Sequence, residues 1–245
     1  MSGLPVRFEL CRPAALSARV LDEVWALTET FYDTPRELAE AKLLKGRGEV
    51  ALMRAGGELV GMALVEVIVT RAAGGREVVA IFTSQTLIDA RYRGRNLLQR
   101  LGLRVFLRER WRHPFSELVW FFDTFSYRSY LLLPRNFSVY WPRHDRETPR
   151  REQALMDALA RQCYGEDWQA ARGVVHRSPQ RCLRGGVATP SVDDVMANAH
   201  LRFFVERNPE HAAGDMLVCL CPLTLRNWLV LGAKALWRSL RRAMA

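Results

Sequence analysis

The stretch from Ala80 to Trp111 constrains this chain more than any other. An apolar, strand-like run, Val78-Val79-Ala80-Ile81-Phe82, leads through Thr83 to Ile88 into Arg91-Tyr92-Arg93-Gly94-Arg95-Asn96, and then into a long amphipathic helical pattern. The order is strand, basic turn with a glycine, helix. A turn of this kind points several backbone N–H groups and the positive end of the helix dipole at one spot, which is the physical recipe for holding a pyrophosphate.

With 245 residues, 49% of them apolar, the chain can bury one large domain or a domain with a substantial extension. Its formal charge of +10 is carried almost wholly by arginine and attracts phosphates, nucleic acid or anionic lipid. The five cysteines are odd in number and lack paired two-residue spacings, so neither a disulfide framework nor a zinc ribbon is supported. The amino terminus shows no apolar signal region, and a reducing cytoplasm is the expected compartment. No segment reaches the roughly 20 uninterrupted apolar residues of a membrane span. The nearest, Met216 to Trp237, is interrupted by Pro222, Arg226 and Lys234.

Periodicity supplies the flanking elements. Val6 to Leu10 alternates as a short strand, and Ser17 opens a helix through Leu21, Val24, Trp25, Leu27 and Phe31. A second helix is expected after Thr34-Pro35, with Thr34 as N-cap and Leu38, Ala41 and Leu44 inward. Glu49 to Met53 and Glu58 to Thr70 read as a hairpin about Ala55-Gly56-Gly57, and Glu77 to Thr86 as a third strand after Gly74-Gly75. The helix after Gly94 places Leu97, Leu98, Leu101, Val105 and Phe106 inward, beside a basic stripe of Arg100, Arg104 and Arg108. Leu118 to Phe122 suits a buried strand, Ser126 to Leu133 a Tyr-bearing helix broken by Pro134, and Phe137 to Trp141 a last strand. A helix follows Thr148-Pro149, Gly173 to Pro190 reads as irregular, and Ser191 caps one further helix carrying Val195, Ala199 and Phe203.

This succession resembles the GNAT acyltransferase superfamily over about Val6 to Pro142. The residues that carry the likeness are Ile88-Asp89-Ala90-Arg91-Tyr92-Arg93-Gly94-Arg95, similar to that family's strand end and phosphate loop, and Tyr130 followed by Asn136-Phe137. The resemblance implies an α/β fold with a central mixed, mostly antiparallel sheet flanked by helices. It implies acyl transfer from a thioester to a small-molecule amine, with acyl-CoA or acetyl-CoA as co-substrate. Carried over by position, Leu87 and Ile88 contact the pantetheine arm, Arg93, Gly94, Arg95, Asn96, Leu97 and Leu98 form the loop, and Tyr130 protonates the leaving thiolate. The family pattern is Arg-x-x-Gly-x-Gly/Ala, so Asn96 stands for its second glycine and Leu98 for its last small residue. Asparagine tolerates φ > 0 but adds a side chain where a phosphate approaches. An acyl carrier protein is the second candidate carrier, since its acidic surface suits Arg91, Arg93 and Arg95.

Tyr127, one helical turn before Tyr130, is the alternative acid, and Glu66, Glu77 or Asp123 the candidate base. Against each stands a plainer reading: packing for the tyrosines, a solvated face for Glu66 and for the arginine stripe, a helix cap for Asp123. The five histidines are scattered without metal-ligand spacing, and no metal is expected. Residues 1–147 are read as the acyltransferase domain and 148–245 as a helical extension packed on it. In its last helix Leu225, Trp228, Leu229, Gly232, Leu236 and Leu240 gather opposite Arg226, Lys234, Arg238, Arg241 and Arg242, so 225–245 either docks on the core or makes peripheral membrane contact. A noncatalytic binding or membrane-peripheral module is the competing function. Aromatic residues are not interleaved with arginines on one surface, which argues against nucleic-acid binding.

Overall fold

The computed structural model describes residues 4–72, 74–176, 182–183 and 190–243. Its strands are β1 (Val6–Cys11), β2 (Tyr32–Asp33), β3 (Glu49–Ala55), β4 (Glu58–Arg71), β5 (Glu77–Ile88), β6 (Glu117–Thr124), β7 (Trp168–Gln169), β8 (Val174–Val175), β9 (Cys182–Leu183) and β10 (Met216–Pro222). The helices are α1 (Ala18–Thr28), α2 (Arg36–Leu44), α3 (Leu97–Arg112), α4 (Tyr127–Tyr130), α5 (Leu132–Asn136), α6 (Arg150–Tyr164), α7 (Val192–Ala197), α8 (Ala199–Arg207) and α9 (Leu225–Ala243). The expected α/β class is the observed one, with an eight-stranded sheet ordered β1-β3-β4-β5-β6-β10-β8-β7 and a separate β2-β9 pair. Contacts divide the chain into two units, one of Met1–Ile68, Ile81–Phe115 and Pro179–Val187, the other of Val69–Ala80, Ser116–Ser178 and Ala188–Ala245.

In the first unit, β3 pairs antiparallel with β1 and with β4. The β3–β4 turn is closed by Gly56 and Gly57, with φ of 58° and 92°, the left-handed pair that a two-residue hairpin requires. Ser17 caps α1 by accepting from the Val20 N–H at 3.4 Å, and α1 buries Val24 and Leu27 one turn apart. On α2 the inward residue is Leu43, whereas Leu38, Ala41 and Leu44 are exposed. Apolar side chains surround that short helix, so its pattern does not single out a face. These elements close a core of Val24, Leu27, Leu43, Leu52, Met62 and Leu87.

Helix α3 buries Leu97, Leu101, Val105 and Glu109, and leaves Leu98 and Phe106 only half-buried. Glu109 is held by Arg108 at 2.7 Å and Arg112 at 3.2 Å. The basic stripe makes specific contacts although Arg100 and Arg104 stay exposed. Arg100 and Arg104 donate to the carbonyls of Val6 and Phe8 at 3.4 and 3.2 Å, and Arg108 pairs with Glu49 at 2.6 Å. Because β1 ends the sheet order, these guanidinium groups cover carbonyls on an open edge that would otherwise invite another strand.

In the second unit β10 is buried at all seven positions and pairs antiparallel with β6, from Leu217 opposite Thr124 to Pro222 opposite Val119. The expected last strand, Phe137 to Trp141, bends at Ser138 and Val139 and meets β10 in an isolated bridge at Trp141–Leu220, with two backbone bonds of 2.8 Å. The 148–245 stretch is therefore not purely helical, since β7, β8 and β10 all come from it. Pro134 does not break the Tyr-bearing segment but sits in the first turn of α5, where its missing N–H costs nothing. Asn198 splits the helix expected after Ser191, its Oδ1 accepting from the N–H groups of His200 and Leu201 to start α8. Tyr130, Leu133, Tyr140, Phe204, Leu217 and Cys219 form the centre of this unit's core. No helix among the described residues is long and apolar enough to cross a membrane.

Candidate functional site

The basic turn after β5 takes a defined shape. Asp89 Oδ1 accepts from the Arg91 N–H at 2.8 Å and opens a short 3-10 turn over Ala90–Tyr92. Hydrogen bonding from the Arg91 side chain holds the Asp89 carboxyl below its usual range, and Arg91 also reaches Glu58 at 2.5 Å. Arg91 is thus a brace of the turn. Arg93 lies 5.3 Å over the Phe31 ring and Arg95 4.6 Å over the Tyr92 ring. Both remain exposed, as do Gly94 and Asn96.

Gly94 has φ of 78°, and Asn96 sits at φ 56°, ψ 32°, the left-handed region. Asparagine adopts here the conformation a glycine would supply, so the turn survives its replacement. The Asn96 carbonyl accepts from the Arg100 N–H at 3.0 Å, which starts the 16-residue α3. The first N–H groups of α3 have no carbonyl within their own helix. These open amides, the dipole and two exposed guanidinium groups fit an anionic phosphate ligand. Leu97 faces the core and Leu98 is half-buried. Leu87 is buried, so any contact from it to a carrier arm runs through its backbone, while Ile88 is half-buried.

A small hollow of about 30 Å³ lies beside β5, lined among others by Trp25, Tyr32, Thr34, Leu43, Met62 and Gln85. Gln85 also carries a left-handed backbone, with φ of 48°, at a cost of roughly 1–3 kcal/mol. Its Nε2 is buried and has no hydrogen-bond partner among the described residues. A strained strand residue with an unmet amide donor, lining a hollow, is a ligand-facing feature. Glu66 shares a strand face with Met62 and Leu64 by the two-residue alternation of β4. Burial raises its carboxyl pKa against the opposing pull of Arg47.

The remaining candidates lie in the second unit. Tyr130 is wholly buried, its hydroxyl donating to the Pro142 carbonyl at 3.2 Å and its ring packed 5.6 Å from Phe204. Burial pushes its phenol far above the usual tyrosine range. Tyr127 is half-buried, and Arg128 Nε donates to its hydroxyl at 3.3 Å. Asp123 accepts a hydrogen bond from the Tyr164 hydroxyl. Asp123 does not cap α4, whose N-cap is Ser126 without a side-chain cap; Thr124 Oγ1 accepts from the Ser126 N–H at 2.9 Å in the turn before it.

One histidine pair and one His–Asp pair form between residues far apart in the chain, which leaves no local signal in the sequence. His144 and His200 stack at 4.4 Å between centroids, with the Tyr140 hydroxyl 3.3 Å from His200 Nδ1. Burial, followed by the His144 charge, lowers the His200 pKa. His176 Nδ1 lies 2.8 Å from the buried Asp215. No group of metal-ligating side chains sufficient to hold an ion occurs among the described residues.

No family model matches the sequence, and no curated protein matches it. Solved structures do resemble parts of the chain. A ribosomal-protein-alanine N-acetyltransferase from Brucella melitensis is 18% identical, with a TM-score of 0.34, over 47% of this chain and 80% of that one. A Trypanosoma brucei acetyltransferase is 21% identical, with a TM-score of 0.35, over 59% of this chain and 98% of that one. A conserved protein of unknown function from Enterococcus faecalis is 15% identical, with a TM-score of 0.40, over 71% of this chain and 46% of that one.

Proposed function

We propose that the chain transfers an acyl group from a thioester carrier to a small-molecule amine. The observation that carries this reading is the left-handed pair Gly94 and Asn96, which opens α3 between the exposed Arg93 and Arg95. Open helix amides beside guanidinium groups suit the pyrophosphate of acyl-CoA, or the single phosphate of a carrier-protein arm. The resemblance of residues 88–95 to the GNAT phosphate loop supports CoA as the first choice.

In the reaction the amine nitrogen attacks the thioester carbonyl carbon, the carbonyl oxygen takes up charge, and the C–S bond then breaks. The amine loses a proton and the thiolate gains one. Glu66, its pKa raised by burial, is the proton acceptor in this reading, and the acceptor molecule approaches on the Gln85 side of β5. The Gln85 amide donates to a carbonyl or carboxylate oxygen there. By the resemblance alone a tyrosine supplies the proton, and of the two candidates Tyr127 is preferred, because the Tyr130 hydroxyl is committed to the Pro142 carbonyl. Holding the two reactants together supplies much of the rate.

That commitment of Tyr130 also favours a second reading, a noncatalytic module that binds the carrier without turnover. Thiol release from acetyl-CoA with a panel of amines separates the two. Turnover that falls in Tyr127→Phe supports the enzyme, whereas CoA binding with no turnover on any amine supports the module.

A further inference from the structure

Helix α9 is fastened to the second unit by polar atoms and turns apolar ones outward. Asn227, wholly buried, accepts at Oδ1 from Ser138 N, Ser138 Oγ and Val139 N at 3.1, 3.1 and 3.0 Å. Its Nδ2 donates to the carbonyls of Val139 and Pro222 at 2.7 and 2.8 Å. Seven residues on, Lys234 Nζ donates to the Pro134 carbonyl at 3.2 Å, and Leu231 between them packs on the core. These positions are spaced four and three apart and define the docked stripe.

The opposite stripe starts at Leu225 and Leu229, 75% and 65% exposed, with Trp237, 59% exposed, on its flank. A helix packed only to hide apolar surface would be rolled the other way, with its leucines in and its asparagine out. From Met216 to Ala245 the sequence holds five basic residues and no acidic one. A second copy of the chain is the poorer occupant, since pairing two such faces brings like charges together.

We propose that the outward face of α9 lies in the interfacial layer of a bilayer containing anionic lipid, with Leu225, Leu229 and Trp237 among the acyl chains and the exposed Arg226 at the phosphates. The contact involves one leaflet only. It does not depend on the acyl-transfer reading.

The test is flotation of the full chain with phosphatidylcholine vesicles and with vesicles that also contain phosphatidylglycerol. Retention on the anionic vesicles, release by added salt, and a drop of at least about tenfold in partitioning for the double variant Leu225→Gln/Leu229→Gln support the proposal. Both substitutions lie on solvent-facing positions, so the thermal melt stays unchanged. Should that variant fail to fold, quenching of tryptophan fluorescence by brominated lipid, lost in Trp237→Phe, reads the same contact in an otherwise intact chain. Absence of binding to anionic vesicles overturns the proposal, as does equal flotation of the folded double variant. A dimer in sedimentation that the double substitution dissolves also overturns it, by giving the face to a second copy. Binding of an acidic carrier protein through these leucines, without lipid binding, overturns it likewise.

Discussion

Replacing Asn227 by alanine removes the acceptor of Ser138 N and Val139 N and the donor to the carbonyls of Val139 and Pro222. The site is wholly buried, so water does not take over these bonds without disrupting the packing. Four backbone groups then lose a partner. At about 1 kcal/mol for each hydrogen bond, the loss is about 4 kcal/mol, and unsatisfied groups left in the interior push it higher. For a chain of this size 1 kcal/mol shifts the midpoint by about 2–4 °C, which gives a fall of roughly 8–16 °C. Circular dichroism melts of wild type and Asn227→Ala measure it, and Asn227→Leu, which restores volume without polar atoms, is expected to recover little. A melt within about 2 °C of wild type for Asn227→Ala would refute polar anchoring of α9.

Gln85→Gly relieves the left-handed backbone, so it raises stability by about 1 kcal/mol in a urea titration while weakening acceptor binding. Glu66 has a folded-state pKa above its unfolded value, so its contribution is fully present below the unfolded carboxylate range and is lost as pH rises through the folded pKa. Glu66→Gln therefore stabilises the chain at neutral pH relative to wild type, an advantage that disappears in acid, and it lowers turnover if Glu66 accepts the amine proton. Melts and rates across pH check both arms. Tyr130→Phe lowers stability by about 1 kcal/mol through loss of the bond to Pro142 yet leaves turnover near wild type, whereas Tyr127→Phe lowers turnover; the opposite pattern restores Tyr130 as the acid.

The first unit was largely legible because its signals are local. Gly56-Gly57 sets a hairpin, Ser17 caps a helix, and the Gly94–Asn96 turn joins a strand to a helix within a few residues. The face of α2 was not legible, since Leu38, Ala39, Ala41, Leu43 and Leu44 leave no single apolar stripe. Strand β10 was missed for a different reason. Met216 to Pro222 is continuously apolar, without the alternation that marks a half-buried strand, and its partner β6 lies far back in the sequence. The projection of 225–245 found an amphipathic helix, but which side docks depends on Ser138, Val139 and Pro134, and no helical wheel contains them. The side chains at Leu236, Arg238, Leu240, Arg241 and Arg242, part of that projection, lie outside those described. Among the candidate site residues, the loop's conformation followed from its residue types, whereas the burial of Tyr130 and the strain at Gln85 came only from tertiary packing.

The phosphate-binding turn is the premise of the acyl-transfer reading, and calorimetric titration of the full chain with CoA and with acyl carrier protein tests it most directly. The account predicts saturable heat with at least one carrier, weakened about tenfold or more in the Arg93→Ala/Arg95→Ala double variant and tightened in Asn96→Gly, which keeps the left-handed turn and removes a side chain from the approach. No heat with either carrier, or binding unaffected by loss of both arginines, contradicts it.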